Sequence, residues 1–242
     1  MQRIEDKRKK VQDHFDSIAT HYSNELPIYF QDYLLKRKMH YIIEYCNDLP
    51  HKIGLDIGCG QGTYMEYLEK ISSKMIGIDF SFNNIKNTLC NNKYGLNSDG
   101  TNLPFKSNKF DFCYSINVLH HLPSRALQKK FVNEMIRVVK PKGLLFFFDL
   151  SLKNPIFALY LKYIFPQIRS IDEGDELFYN EKDIVNITRN QADLINVDYY
   201  SFVPDIASKG MLKIMSKIER IIEKTFLKHL AMHQVIIMQK NK

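Results

Sequence analysis

Cysteine is scarce in this chain of 242 residues: Cys46, Cys59, Cys90 and Cys113 stand far apart, with no C-x-x-C pair. Such spacing suggests neither a disulfide framework nor a zinc site, and it fits a reducing compartment. Long apolar runs are missing as well. The richest, Pro155-Ile156-Phe157-Ala158-Leu159-Tyr160-Leu161, is broken by Lys162 and stopped by Pro166, well short of the about 20 residues of a membrane span. The N-terminus, Met1-Gln2-Arg3-Ile4-Glu5-Asp6-Lys7-Arg8, is too charged for a secretory signal. A cytoplasmic location is expected. The sequence also lacks internal repeats and low-complexity tracts.

What is present is ordinary for a globular protein, with 45% hydrophobic and 25% charged residues. The length allows one large domain, or a domain with a small appendage. The net charge of +7 permits attraction to nucleic acid or anionic lipid. The basic residues, however, gather near the termini (Lys7 to Lys10, Lys36 to Lys38, Lys209 to Lys228) and read as solvated helix faces.

Periodicity gives the order of elements. Residues 1–48 read as helical, with Val11, Phe15, Ile18 and Tyr22 on one stripe and Tyr33, Leu34, Tyr41 and Ile42 on another. Strands at 53–57, 75–79, 94–97, 110–116 and 144–149 then alternate with helices at 63–71, 82–91 and 124–139. Such alternation predicts an α/β fold: a Rossmann-like, doubly wound, mostly parallel sheet of seven strands. Phe146, Phe147 and Phe148 read as buried sheet residues, and Pro141-Lys142-Gly143 as a turn before their strand. A helix at 181–190, a strand at 194–203, a basic amphipathic helix at 206–230 and a strand at 232–239 predict an antiparallel hairpin at one sheet edge. The expected organisation is an N-terminal helical lid over 1–50 and the main domain over 51–242, with an insertion at 151–192.

The chemistry centres on Leu55-Asp56-Ile57-Gly58-Cys59-Gly60-Gln61-Gly62-Thr63, where an apolar strand breaks into glycines at every second position. A strand ending in such a turn offers backbone N–H groups at a helix N-terminus, where a ligand can approach without meeting a Cβ. A dinucleotide fold would want G-x-G-x-x-G/A, and from Gly58 the last position falls on Thr63. The acid at 56 suits a cationic amino group, whereas it would repel a pyrophosphate. A nicotinamide-dependent oxidoreductase is thereby disfavoured. Asp79, ending the second strand, can accept both hydroxyls of a ribose, with Phe80 beside it for a purine ring. Asp99, after the third strand, can accept from an adenine amino group. The fourth strand ends in Ser115-Ile116-Asn117-Val118-Leu119-His120-His121-Leu122, beside the glycine turn.

These four motifs in order resemble the class I S-adenosylmethionine-dependent methyltransferases, especially the small-molecule group that includes the ubiquinone and menaquinone C-methyltransferases. The resemblance covers roughly residues 10–150. It implies that Asp56, Gly58, Cys59, Gly60 and Gly62 wrap the methionine part of the cofactor. Asp79 would hold the ribose, Phe80 would lie against the adenine, and Asp99 and Gly100 would meet the adenine edge. Asn117 would sit near the methionine amino group, and S-adenosylhomocysteine would be the product. Phe15, Ala19 and Tyr22 resemble the family's N-terminal lid, whose tyrosine closes over the cofactor. Cys59 otherwise reads as small filler in a tight turn.

Methyl transfer from a sulfonium depends on alignment and desolvation, and a weakly acidic acceptor benefits from a base. His121 is the first candidate base, with Tyr22 as its partner and His120 second; a merely structural role for either histidine is the alternative. No metal is expected, because no acidic cluster follows the fourth strand. Segment 151–180 is aromatic and aliphatic, suiting an apolar or amphiphilic acceptor. The expected partner is a small-molecule or lipid-linked acceptor, without specific nucleic acid. Lys153, Lys162 and Arg169 allow peripheral contact with an anionic membrane. The alternatives are a catalytically silent cofactor-binding subunit and an RNA-modifying methyltransferase.

Overall fold

The computed structural model describes residues 2–19, 25–90, 94–168 and 176–242. A seven-stranded sheet runs in the order β3-β2-β1-β4-β5-β7-β6. The strands are β1 (Ile53–Ile57), β2 (Lys74–Asp79), β3 (Gly95–Asn97), β4 (Phe110–Ile116), β5 (Val139–Leu150), β6 (Ala192–Tyr200) and β7 (His233–Lys240). The first five pair in parallel, and β7 lies antiparallel between β5 and β6. The sheet therefore reverses its order between β1 and β4, the place where open α/β sheets bind ligands beyond their strand ends.

Helices α1 (Gln2–Ile18), α2 (Ile28–Tyr45), α3 (Thr63–Glu69), α4 (Phe82–Cys90), α5 (Arg125–Val138), α6 (Pro155–Tyr163), α7 (Phe165–Ile168), α8 (Glu181–Thr188) and α9 (Lys209–Ile222) fill the connections. Among the described residues, no helix is long and apolar enough to cross a membrane. Several begin where a side chain caps the first turn. Ser124 accepts from Leu127 N at α5, and Asn180 forms a capping box with Asp183 at α8.

Alternation along β5 sorts the core onto two faces. Phe147 packs with Phe131, Met135 and Ile184 on one side, while Phe146 and Phe148 pack with Met39, Ile42 and Leu68 on the other. All three phenylalanines are fully buried. The expected turn at 141–143 is instead a bulge carried inside β5. Phe110 pairs with Val139 but Phe112 with Leu144, and Lys142 takes a positive φ of 64°. The Lys140 ammonium meets Asp111 across the bulge at 2.9 Å. A turn and a bulge share their residue chemistry, so the sequence does not separate them.

The N-terminal helices differ in role. Helix α2 belongs to the core through Met39 and Ile42. A smaller cluster joins its first turns, Phe30 and Leu34, to Val203, Ala207 and Leu212 near α9. Helix α1 instead lies against α4 and the end of β2. The expected helix at 206–230 is divided: α9 stops at Ile222, and a 3-10 turn over Phe226–Leu230 leads into β7.

Candidate functional site

A cavity of about 720 Å³ opens beyond the C-terminal ends of the parallel strands. Its size falls within the range of small-molecule and cofactor sites, roughly 300–1,000 Å³. The glycine turn after β1 forms its floor. Gly58 sits at φ 81°, and a Cβ there would come within 2.2 Å of Val118. Gly60, at φ 53°, is different: nothing lies within 4 Å of the Cβ it lacks. That open space faces the cavity.

The turn offers shape rather than donors. Gly58 N and Cys59 N donate to Ile78 O at 2.8 and 2.9 Å, and Gly62 N donates to Cys59 O. Gly60 N donates to Asp79 Oδ2 at 2.8 Å. The expectation of backbone N–H groups exposed at this turn is therefore corrected for these residues: the end of β2 takes up those of Gly58, Cys59 and Gly60, and Cys59 O takes up that of Gly62, as a buried turn requires.

The wall contains Gly58, Cys59 and Gly60 from the turn, Asp79 ending β2 and Phe80 just after it, and Asp99 and Gly100 beyond β3. Asn117, His120 and His121 after β4 complete it. Asp56 and Gly62 do not reach it. Asp56 is 1% exposed, and its Oδ2 has no hydrogen-bond partner. Burial pushes its carboxyl up to about 8, against the pull of the neighbouring Tyr114 hydroxyl. Gly62 caps α3 from behind the turn. Tyr22 lies outside the described residues.

Burial likewise raises Asp79, while the amides of Ser81 and Gly60 oppose the shift. Asn117 supplies the buried acceptor facing the cavity. Its φ is 54°, and its Oδ1 has no partner. A carbonyl oxygen so placed is suited to a cationic amino group.

Three residues of α1 that the sequence does not single out close the side of the cavity formed by Phe80 and Asp99. Arg8 forms an ion pair with Asp99 and stands 5.6 Å from the centre of the Phe80 ring. Gln12 donates to Phe80 O at 3.0 Å. Asp16 accepts from Ser81 Oγ and from Asn83 N. Their spacing of four residues puts all three on one face of the helix, which was the available signal. Asp99 is held below the usual carboxylate range: burial opposes this, and the bonds from Thr101 and Arg8 outweigh it.

The two histidines have different surroundings. His120 is 2% exposed, and its Nδ1 lies 2.5 Å from Asp149 Oδ1 at the end of β5. His121 packs edge-on against Phe15 of α1, ring centres 4.9 Å apart. The geometry thus gives His120 a carboxylate partner. Asp149, like Asp79, is an acid at a strand end, a signal readable in the sequence. No cluster of three metal-ligating side chains occurs among the described residues.

The chain matches the family model described as "Methyltransferase domain" over residues 55–147. It is 34% identical over 139 residues to tRNA (carboxymethyluridine(34)-5-O)-methyltransferase of Arabidopsis thaliana, a match covering 56% of this chain and 31% of the relative. The same-named protein of Schizosaccharomyces pombe is 33% identical, over 62% of each chain. The chain thus spans less than two thirds of these relatives' length. A solved SAM-dependent methyltransferase of Thermotoga maritima, described as a possible histamine N-methyltransferase, superposes with a TM-score of 0.68 at 16% identity. That match covers 96% of this chain and 100% of that one.

The relatives' names concern tRNA, which overturns the expectation of a small-molecule or lipid-linked acceptor without specific nucleic acid. A single sequence shows its cofactor motifs at strand ends but has no comparable motif for an acceptor. The domain match and the fold nonetheless agree: residues 55–147 match a methyltransferase domain, and the fold is that of the class I S-adenosylmethionine-dependent methyltransferases.

Proposed function

We propose that the chain moves a methyl group from S-adenosylmethionine to a carboxylate oxygen on a modified pyrimidine of transfer RNA. The observation that carries the reading is the pairing of this cavity with two relatives named for that reaction. Bound S-adenosylmethionine supplies an electrophilic methyl on a sulfonium. Everything else is asked of the chain.

Gly58 and Gly60 give the cofactor a floor without side chains, and Asp79 takes the ribose hydroxyls. Asn117 Oδ1 receives the amino group, while Phe80, Asp99 and Gly100 border the adenine. Helix α1 closes over that end through Arg8, Gln12 and Asp16.

A base drawn out of an RNA loop needs flat apolar walls on which to stack. Phe157, Tyr160, Phe165 and Phe202 line the cavity. A smaller cavity of about 190 Å³ shares Phe15, His120 and His121 with the main one and adds Lys7, Lys10 and His14 together with one acid, Glu176. Phosphates flanking an extruded nucleotide fit such a rim.

A carboxylate acceptor is already ionised at neutral pH, so no base is required. His120, held by Asp149, then serves to orient the acceptor. His121 lines the passage between rim and cavity.

The test is transfer of labelled methyl from S-adenosylmethionine to tRNA whose carboxymethyl esters have been hydrolysed. The expected product releases its label as methanol in mild alkali, as an ester does. Label that survives alkali would contradict carboxylate methylation, and absence of label in RNA would contradict the acceptor.

A further inference from the structure

Lys38 is 1% exposed, yet it lines the main cavity. It stands on the apolar stripe of α2, one turn from Leu34 and one turn from Ile42. Its ammonium meets the Tyr64 hydroxyl of α3 at 3.3 Å and lies 5.4 Å from the centre of that ring. Among the described residues, no carboxylate makes an ion pair with it. Asp149 of β5 acts on it only from a distance and is itself bonded to His120.

A buried charge without a counter-ion is costly, and such charges are normally paired. Burial accordingly lowers the Lys38 ammonium from its ordinary 10.5 to about 8. The helix offers it little else: Leu34 and Ile42, one turn to either side, are buried and apolar. One further polar atom is present. His233, at the start of β7, lines the same cavity with its Nδ1 buried and unpartnered. Burial and the nearby Lys38 and Arg37 charges hold this imidazole neutral.

We propose that Lys38 is the receptor for a ligand carboxylate, with His233 beside it. Two ligands of the reaction proposed above bring that group: the methionine end of the cofactor and the carboxymethyl arm of the acceptor. The inference rests on that reading, and its test separates the two sources. No bond is made or broken at Lys38; it binds and places an anion.

The experiment compares the wild type with Lys38→Met and Lys38→Gln in calorimetric titrations with S-adenosylhomocysteine and with 5′-methylthioadenosine. The second ligand keeps the adenosyl thioether but has no amino-acid group. The acceptor KM is then measured with ester-hydrolysed tRNA at saturating cofactor. Loss of one charge-assisted hydrogen bond predicts a weakening of roughly ten- to a hundredfold. If S-adenosylhomocysteine weakens and methylthioadenosine does not, the cofactor carboxylate is the ligand. If both nucleosides bind as before and the acceptor KM rises, the acceptor carboxylate is.

Unchanged binding and KM overturn the proposal. So does equal weakening of both nucleosides in both variants, which would make Lys38 a structural residue. A wild type that binds neither nucleoside refutes the cofactor reading itself, independently of Lys38.

Discussion

Arg8 in the first helix and Asp99 beyond the third strand are joined by an ion pair across 91 residues of sequence. The pair ties α1 to the side of the cavity where the adenine is proposed to lie, so one contact bears on both docking of the helix and access to the site.

Arg8→Ala is therefore expected to loosen α1. The pair is partly exposed, so its contribution is about 1 kcal/mol or less, a change of roughly fivefold in local opening. Hydrogen exchange over residues 2–18 should quicken by that order while the sheet stays protected. Asp99 is depressed in the folded chain, so this stabilisation is present above the ordinary carboxylate range and lost as pH falls through it. Exchange of α1 in the wild type should quicken on acidification toward and below about pH 4. Exchange indifferent to both changes would show that the pair does not hold the helix.

Lys38→Met is expected to raise stability at pH 7. A shift from 10.5 to about 8 corresponds to roughly 3 kcal/mol spent on a buried charge. Between those values the folded chain binds fewer protons than the unfolded one, so wild-type stability rises with pH across that window. The advantage of the variant should be full below about pH 8 and shrink toward pH 10.5. Thermal unfolding at pH 7 should show a gain of about 6–12 °C, less whatever the lost Tyr64 contact contributes. A variant less stable at every pH would mean that Lys38 is a supporting residue.

Gly60→Ala and Gly58→Ala should separate binding from stability. At Gly60 the added methyl meets no protein atom, and the cost is the left-handed backbone alone, about 1–2 kcal/mol. Its methyl would occupy cofactor space, so S-adenosylhomocysteine binding should be lost in a folded protein. At Gly58 the methyl collides with Val118, and destabilisation should be larger. Full cofactor affinity in folded Gly60→Ala would remove the turn from the binding site.

Asp149→Asn keeps the shape beside His120 but removes the charge that holds it. Acceptor kcat/KM should fall tenfold or more while S-adenosylhomocysteine affinity holds. Parallel losses in both would place the dyad in the cofactor site.

Much of this was legible because strand ends carry the chemistry. β1 and β4 lie where alternation and apolar runs put them, and the glycine turn, Asp79, Phe80, Asp99, Gly100, Asn117 and both histidines converge on one cavity. The misses share a cause: periodicity reports which face is buried, not what a side chain meets there. Asp56 reads as an acid for a cationic amino group, but it is buried beside Tyr114 and does not line the cavity. Lys38 sat in plain view on an apolar stripe and was counted with surface charge. Arg8, Gln12 and Asp16 find partners more than sixty residues away, and no local pattern encodes such pairs. The sequence does not separate the acceptors, because an aromatic wall serves a lipid and an extruded base alike.

Titration of the chain with S-adenosylhomocysteine tests the central claim most directly. The account predicts saturable heat with one site per chain, abolished in Gly60→Ala and weakened at least tenfold in Asp79→Asn. Absence of heat from the folded wild type would contradict it.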